Sequence, residues 1–194
     1  PYHGRRMGTP LAPAAAVRRL ASGPPPGAVA LAGDEPFLQE EVAAALRARL
    51  AGAAREAWDG EEESAPPPAA LSEGTLFEER TLVEVRRADP WVARHKDALA
   101  EWLAAPPPGR HLALHLERYD ARTAVARALE GGGGWHVSCR RPWASPPPWE
   151  KGRAAWDHDL GAWVRARAKS AYGKRISGPA AHLLIQRAGQ PMGV

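Results

Sequence analysis

Two adjacent carboxylates, Asp34 and Glu35, are the first residues of this sequence that could do chemistry. They follow the apolar run Ala28–Ala32, which Gly33 ends and which predicts a buried strand. The carboxyl end of a first strand is where α/β enzymes hold their active sites, and the pair could bind Mg²⁺. However, neither a second carboxylate site nor a lysine cluster accompanies them. We therefore expect Asp34 to cap the next helix, with Pro36 in its first turn.

The elements around this pair are a strand, a tight turn and an amphipathic helix. The helix is predicted because Phe37, Val42, Leu46 and Leu50 recur at roughly helical spacing. Many nucleotide-binding proteins hold a phosphate at such a junction, but the sequence G-x-x-x-x-G-K-[ST] occurs nowhere in the chain. A triphosphate would also need amides and a lysine where this turn has carboxylates. The pattern suggests a nucleotide-binding ancestry, and we expect no nucleotide or other cofactor.

Other candidate ligands and nucleophiles stand alone. His111 and His115 fall on one side of a predicted strand and could bind a metal, but no third ligand lies near them in sequence. We expect them on a solvated strand face, and we predict neither a metal site nor a catalytic site. Cys139 is the one cysteine, which excludes a disulfide within the chain and favours the cytoplasm. A small core residue is the better interpretation of it than a nucleophile.

The composition describes a mildly basic globular chain. Of its 194 residues 44% are hydrophobic, and the formal net charge is +4. No apolar run is long enough to span a membrane. A group of cations near the end of the chain could contact DNA phosphates without reading bases, although a solvated helix face explains them equally well. These cations are Arg165, Arg167, Lys169, Lys174 and Arg175.

Strands and helices alternate along the chain and predict a mostly parallel α/β sheet with helices on both faces. A helix is expected from Asp89, and another, capped by Asp120, is expected to reach Leu129. The predicted strands are 28–32, 55–59, 80–85, 111–116 and 135–139.

Changes in composition divide the chain into four parts. Residues 1–27 form an extension and linker with a short helix, and residues 28–142 form the α/β domain. Residues 143–155 are a linker rich in proline and tryptophan. Residues 156–194 form a helical domain, with one helix to Tyr172 and a second from Ser177 to Gly189. Two helices make an incomplete domain, so we expect a fragment or a truncated product.

Five segments carry a family resemblance through their order and spacing. They are Gly33–Leu38, Leu76–Val85 with the pattern LF-x-x-R-x-L-V-x-V, Leu103–Pro108, Tyr119–Arg122 and residues 163–189. Together they resemble the delta subunit of the bacterial DNA polymerase III clamp loader.

The resemblance implies an AAA+-like (P-loop-type) first domain that has lost its ATP site, followed by a helical second domain. The family also has a helical collar domain, which this sequence does not contain. The implied role is DNA replication: binding the sliding clamp (the beta subunit) and opening its ring during loading. The implied partners are that clamp, the gamma/tau and delta prime subunits of the loader, and DNA through the complex. The chain would be a non-catalytic subunit of a nucleotidyltransferase holoenzyme in the cytoplasm.

The resemblance also implies a clamp-binding site at Leu76 and Phe77, which would enter an apolar pocket of the clamp. Charged residues such as Glu73 and Glu79 flank the pair, as a polar rim flanks an interface anchor. Burying both side chains would contribute about 3–6 kcal/mol before ordering costs. The alternative is that both pack under the sheet as core.

Two other classes of function stay open as alternatives. One is a degenerate P-loop nucleotide-binding enzyme or a small α/β transferase, and the other is a basic DNA-binding module. The resemblance leaves Trp143, Trp149 and Trp156 unexplained.

Overall fold

The computed structural model describes residues 9–73, 79–146 and 149–189. The chain divides into two compact units, Pro1–Arg140 and Arg141–Val194. Among the described residues, no helix is both long enough and apolar enough to cross a membrane.

The first unit is built on a five-stranded sheet in which every pairing is parallel. Its strands are β1 (Ala28–Ala32), β2 (Ala54–Asp59), β3 (Thr81–Arg86), β4 (Arg110–Leu116) and β5 (Trp135–Ser138). The order across the sheet is β2-β3-β4-β1-β5, which places β1 between β4 and β5. All five residues of β1 are buried, as expected for a strand with neighbours on both edges and cover on both faces. The structure confirms the predicted α/β sheet.

Helices cover both faces of the sheet. They are α1 (Pro13–Ser22), α2 (Pro36–Arg49), α3 (Asp89–Arg94), α4 (Lys96–Ala104) and α5 (Ala124–Gly131), with a 3-10 turn at Pro68–Ser72. Ala28, Ala30 and Ala32 of β1 share a core with the side of the sheet that carries α3, α4 and α5. Because side chains alternate along a strand, Val29 and Leu31 point to the opposite face, where α1 packs on α2.

Two helix predictions differ from the structure. The helix expected from Asp89 is interrupted at His95, so that it becomes α3 and α4. The cap of α5 is Thr123 rather than Asp120, because the Thr123 hydroxyl accepts a hydrogen bond from the Ala126 amide at 3.1 Å. The Asp120 carboxylate instead accepts two hydrogen bonds from the Arg122 guanidinium.

The prediction of a solvated face for His111 and His115 is wrong. Strand β4 lies inside the sheet, between β3 and β1, and both histidines are only partly exposed. The His111 Nδ1 atom lies 2.8 Å from the carbonyl oxygen of Pro26. The His115 Nδ1 atom lies 3.2 Å from the Oε1 atom of Gln39 on α2. Alternation alone cannot separate a solvated face from one that a helix covers.

The second unit contains α6 (Asp159–Tyr172) and α7 (Gly178–Ala188). Gly173 ends α6 in a left-handed conformation with φ 64°. Ser177 caps α7 by accepting from the Ala180 amide, and Gly189 ends it, as predicted. Helix α6 begins later than predicted, because His158 is its capping residue.

Candidate functional site

The loop between β1 and α2 lies at the carboxyl edge of the sheet. Gly33 has φ +149°, and a Cβ atom on it would lie 2.2 Å from the carbonyl oxygen of Cys139. The Gly33 amide donates to the carbonyl of Leu116, and the Glu35 amide donates to the carbonyl of Cys139, both at 3.0 Å. A phosphate cradle needs free amides, and these two are used to join β1 to the chain after β4 and β5.

The residue at the capping position of α2 is not the predicted Asp34. The capping position belongs to Glu35, whose side chain makes no capping hydrogen bond, and the prediction for Asp34 is wrong. Pro36 takes the first helical position, and a proline pushes the preceding residue into an extended conformation. Glu35 accordingly has φ −117° and ψ 94°. Its side chain is buried, whereas Asp34 is exposed.

A cavity of about 590 Å³ opens beside this loop, and both positively and negatively charged side chains line it. The cations are Arg118, Arg122 and Arg140, and the carboxylates are those of Glu117 and Asp120. Hydrogen bonds from the side chain and the amide of Arg122 hold the pKa of Asp120 at about 2, so that it stays ionised. The lining is therefore mixed in charge, with one of its two carboxylates paired with an arginine.

The predicted clamp-binding residues Leu76 and Phe77 lie outside the described residues. The chain on either side of them is described. Leu71, in the 3-10 turn, is buried in the core of the first unit. Ser72, Glu73 and Glu79 are exposed, and β3 begins at Thr81.

The predicted cations of the second unit do not share one face. Arg165 and Lys169 are one helical turn apart on α6 and are both exposed, whereas Arg167 is half-buried. Lys174 and Arg175 are exposed in the connection between α6 and α7.

A buried polar network that sequence analysis missed lies between α2 and the sheet. The Glu84 Oε2 atom of β3 lies 2.9 Å from Arg47 Nη1 and 3.6 Å from His115 Nε2. Burial alone would raise the pKa of Glu84, but the nearby His115 side chain and hydrogen bonds from Arg47 outweigh it and the pKa is lowered. Gln39 continues the network by donating to the carbonyls of Gly33 and Leu116. A single carboxylate inside an otherwise apolar strand was the only sequence signal of it.

Two histidines meet in the second unit, and they were also missed. His158 is buried, and its Nδ1 atom accepts a hydrogen bond from the Gly161 amide at 3.0 Å. Its Nε2 atom lies 3.2 Å from Nδ1 of His182 on α7. In the neutral state, the proton of His158 therefore resides on Nε2 and is donated to His182. The pair joins the start of α6 to α7.

Cys139 is fully buried, as expected for a core residue. Burial raises the pKa of its thiol to about 12, so the thiolate that a nucleophile needs is disfavoured.

Comparisons with known proteins bear on the fold. No protein-family model and no curated protein matches the sequence. Among solved structures, the Bacillus subtilis DNA clamp loader delta protein YqeN matches with a TM-score of 0.64 at 20% identity. The chain shares the fold of a clamp loader delta protein. The match covers 88% of this chain and 50% of the delta protein, so the chain spans about half of its length. The AAA+-like fold that the sequence motifs implied is therefore confirmed.

Proposed function

We propose that this chain is a clamp-loader subunit that binds a sliding clamp and opens its ring. The observation that carries the proposal is the fold shared with the delta protein over 88% of the chain. Its partners would be the clamp and the other loader subunits, with DNA held through the complex. Leu76 and Phe77 are the proposed clamp-binding residues, and the exposure of Glu73 and Glu79 supports a segment that begins and ends at the surface.

The loop geometry supports a role that needs no nucleotide of its own. The amides of Gly33 and Glu35 bind backbone carbonyls, which leaves them no donor for a phosphate in this conformation. The subunit would act by binding alone, with ATP hydrolysed by other subunits. Inserting two apolar side chains can favour an open ring only by the difference between its affinities for the open and the closed clamp.

The test is a calorimetric titration of a bacterial sliding clamp with this chain and a Leu76→Ala/Phe77→Ala variant. We expect the double variant to bind at least about 100-fold more weakly, since two buried apolar anchors are lost. The matched control is Leu183→Ala/Leu184→Ala, which removes another adjacent pair whose members are 51% and 53% exposed. It should bind like the wild type.

Circular dichroism must show that all three proteins are folded. A folded wild type that does not bind would contradict the proposal. Unfolding of the Leu76→Ala/Phe77→Ala variant alone would mean that the pair belongs to the core and that the site is misassigned.

A second candidate function is contact with DNA phosphates through the second unit. It is favoured by the exposure of Arg165, Lys169, Lys174 and Arg175. Such contacts would be independent of base sequence and would weaken steeply with salt. Measuring DNA binding by the whole chain across a salt series tests this, and binding that does not depend on salt would contradict it.

A further inference from the structure

Three tryptophans of the second unit are exposed to solvent. The exposed fractions are 48% for Trp143, 69% for Trp149 and 44% for Trp156. Indole rings are large apolar surfaces, and soluble proteins rarely leave several of them uncovered in one small region without a use. None of them belongs to the proposed clamp-binding site.

The structure holds these rings in place. Trp143 and Trp149 meet edge to face, with ring centroids 5.7 Å apart and planes at 82°. The carbonyl of Trp143 accepts from the Leu160 amide at 2.9 Å, which fixes it to the first turn of α6. The ring of Trp156 lies so close to Gly178, the first residue of α7, that a Cβ atom there would be 2.6 Å from it. All three rings therefore lie near the beginnings of the two helices.

The same unit is strongly cationic. Residues 141–194 contain nine Lys and Arg against three Asp and Glu, a formal net charge of +6. The remaining 140 residues contain 17 against 19, a net charge of −2. Two of the three acids, Glu150 and Asp157, are both paired with Arg153. Most of the other cations of the unit are left to attract an anion.

Several of these cations lie close in sequence to the exposed rings. Lys151 is two residues from Trp149, and Lys174 and Arg175 come just before Gly178, against which Trp156 packs. All three cations are exposed, and none has an acidic partner among residues 9–73, 79–146 and 149–189. Lys151 therefore lies beside Trp149 along the chain, whereas Lys174 and Arg175 lie on the connection that runs from the end of α6, where the Lys174 amide donates to the Ala168 carbonyl, to Gly178 beside Trp156.

We propose that this surface, formed by Trp143, Trp149, Trp156, Lys151, Lys174 and Arg175, binds single-stranded nucleic acid. Unpaired bases stack on the indole faces, and the cations contact the phosphates between them. A duplex keeps its bases stacked inside, so along its length it offers phosphates and base edges but no open base face for an indole ring. The tryptophans therefore make the surface selective for single strands, which phosphate contacts alone would not. This binding does not depend on binding to a clamp.

The test uses the whole chain and two labelled probes, the oligonucleotide (dT)16 and a 16-base-pair duplex, in fluorescence anisotropy titrations at several salt concentrations. We expect (dT)16 to bind at least about tenfold more tightly than the duplex. Trp149→Ala should weaken (dT)16 binding about tenfold, and Trp143→Ala similarly, because each removes a stacking face. Trp149→Phe should restore most of the affinity. The matched control Leu184→Ala, which removes an exposed apolar residue that is not aromatic, should bind like the wild type.

The cations have a separate signature. Lys174→Gln/Arg175→Gln should flatten the dependence of log K on log salt by about 1.4, whereas the tryptophan variants should leave that slope unchanged.

Three results would overturn the proposal. One is equal affinity for the two probes, or no binding of either by a folded chain. Another is binding of (dT)16 by the tryptophan variants as tight as by the wild type, which would mean that phosphate contacts account for the binding without stacking. The third is self-association that Trp149→Ala abolishes in sedimentation experiments, which would indicate a protein–protein surface. Clamp titrations with the same preparations keep this test separate from the clamp-binding proposal, since Trp149→Ala should retain clamp affinity.

Discussion

At Gly33 the backbone conformation and the packing impose the same requirement. A φ of +149° disfavours any residue with a Cβ atom, and the carbonyl of Cys139 occupies the place that the Cβ would take. We predict that Gly33→Ala lowers the free energy of unfolding by about 3 kcal/mol or more, because strain and a backbone clash add. Urea denaturation followed by circular dichroism measures the change.

Gly52 provides the control for this substitution. It also has a positive φ, +89°, but no atom lies within 4 Å of the place its Cβ would occupy. Gly52→Ala should therefore cost only the strain, about 1–2 kcal/mol. Equal losses for the two variants would show that the contact with Cys139 contributes nothing.

Glu84 gives a prediction about pH. Its folded-state pKa is lowered, so its ionised form contributes stability that is present above the ordinary carboxyl pKa and is lost as the pH falls through the folded value. Glu84→Gln should cost about 1–3 kcal/mol at pH 7, because Arg47 loses a partner close to the buried sheet. Urea titrations from pH 7 downward should show the difference from the wild type shrinking as Glu84 becomes protonated.

A double variant that also replaces Arg47, the ion-pair partner of Glu84, tests this explanation. Arg47 also pairs with Glu40, so Glu84→Gln removes one of its two carboxylate partners. Replacing Arg47 as well, in Glu84→Gln/Arg47→Met, removes the cation that lost this partner, so the double variant should lose less stability than the sum of the two single variants. A difference between wild type and Glu84→Gln that does not vary with pH would contradict the assigned charge state.

At the scale of elements, the joint between α6 and α7 depends on a neutral histidine. Burial lowers the pKa of His158 and the nearby His182 lowers it further, while the Trp143 carbonyl and the carboxylates of Asp157 and Asp159 oppose this only in part. Protonating Nδ1 would break the bond from the Gly161 amide and place a charge beside His182. The stability of this joint should be complete above the ordinary histidine pKa and fall as the pH drops through the lower folded value.

The measurement is hydrogen exchange of the Gly161 amide by NMR between pH 7 and pH 5, corrected for the intrinsic exchange rate. In the wild type we expect protection to fall with pH. In His158→Asn, which keeps a capping acceptor and does not titrate, protection should depend much less on pH. The same pH dependence in both proteins would remove His158 as its cause.

The elements that the sequence predicted best are those whose signals are local. The apolar run Ala28–Ala32 is β1 residue for residue, and Ser177 and Gly189 bound α7 as predicted. Local signals failed where two residues compete for one role, as Thr123 took the cap expected of Asp120. They also failed where a partner is distant in sequence. The neighbours of Glu84 come from positions 47 and 115, which no window along the chain would have joined.

The candidate site was predicted unevenly for the same reason. The loop after β1 and its lack of phosphate-binding residues follow from sequence, because the motif is contiguous. That a carbonyl from residue 139 would fill the loop does not follow, because the contact spans more than a hundred residues. The roles of Leu76 and Phe77 stay predictions.

At the scale of the molecule, the described core cluster belongs to the first unit. Its members lie between Ala28 and Leu129, all within that unit. The described residues between Arg141 and His158 form neither helix nor strand, and Lys151 is exposed there. We predict that limited trypsin treatment cuts first in this segment and leaves a fragment whose thermal midpoint is that of the first unit in the intact chain.

Mass spectrometry of the early products and a thermal melt of the purified fragment measure this. Cleavage that begins within the sheet, or a fragment that has lost its cooperative transition, would contradict the prediction. Arg141 offers trypsin little, since Pro142 follows it, so cuts after Lys151 or Arg153 are expected.

The contact between Gly33 and the carbonyl of Cys139 also limits what evolution or engineering could do with this chain. Introducing a lysine and more glycines into the first loop would supply the side chains of a nucleotide-binding protein but not the free amides, because the Gly33 and Glu35 amides already donate to the carbonyls of Leu116 and Cys139. The segment after β5 would have to take another path at the same time. This would break the hydrogen bonds that the loop amides donate to Leu116 and Cys139. Conversion to a nucleotide-binding loop therefore requires a change of the backbone, because point substitutions alone would leave these amides bonded to carbonyls.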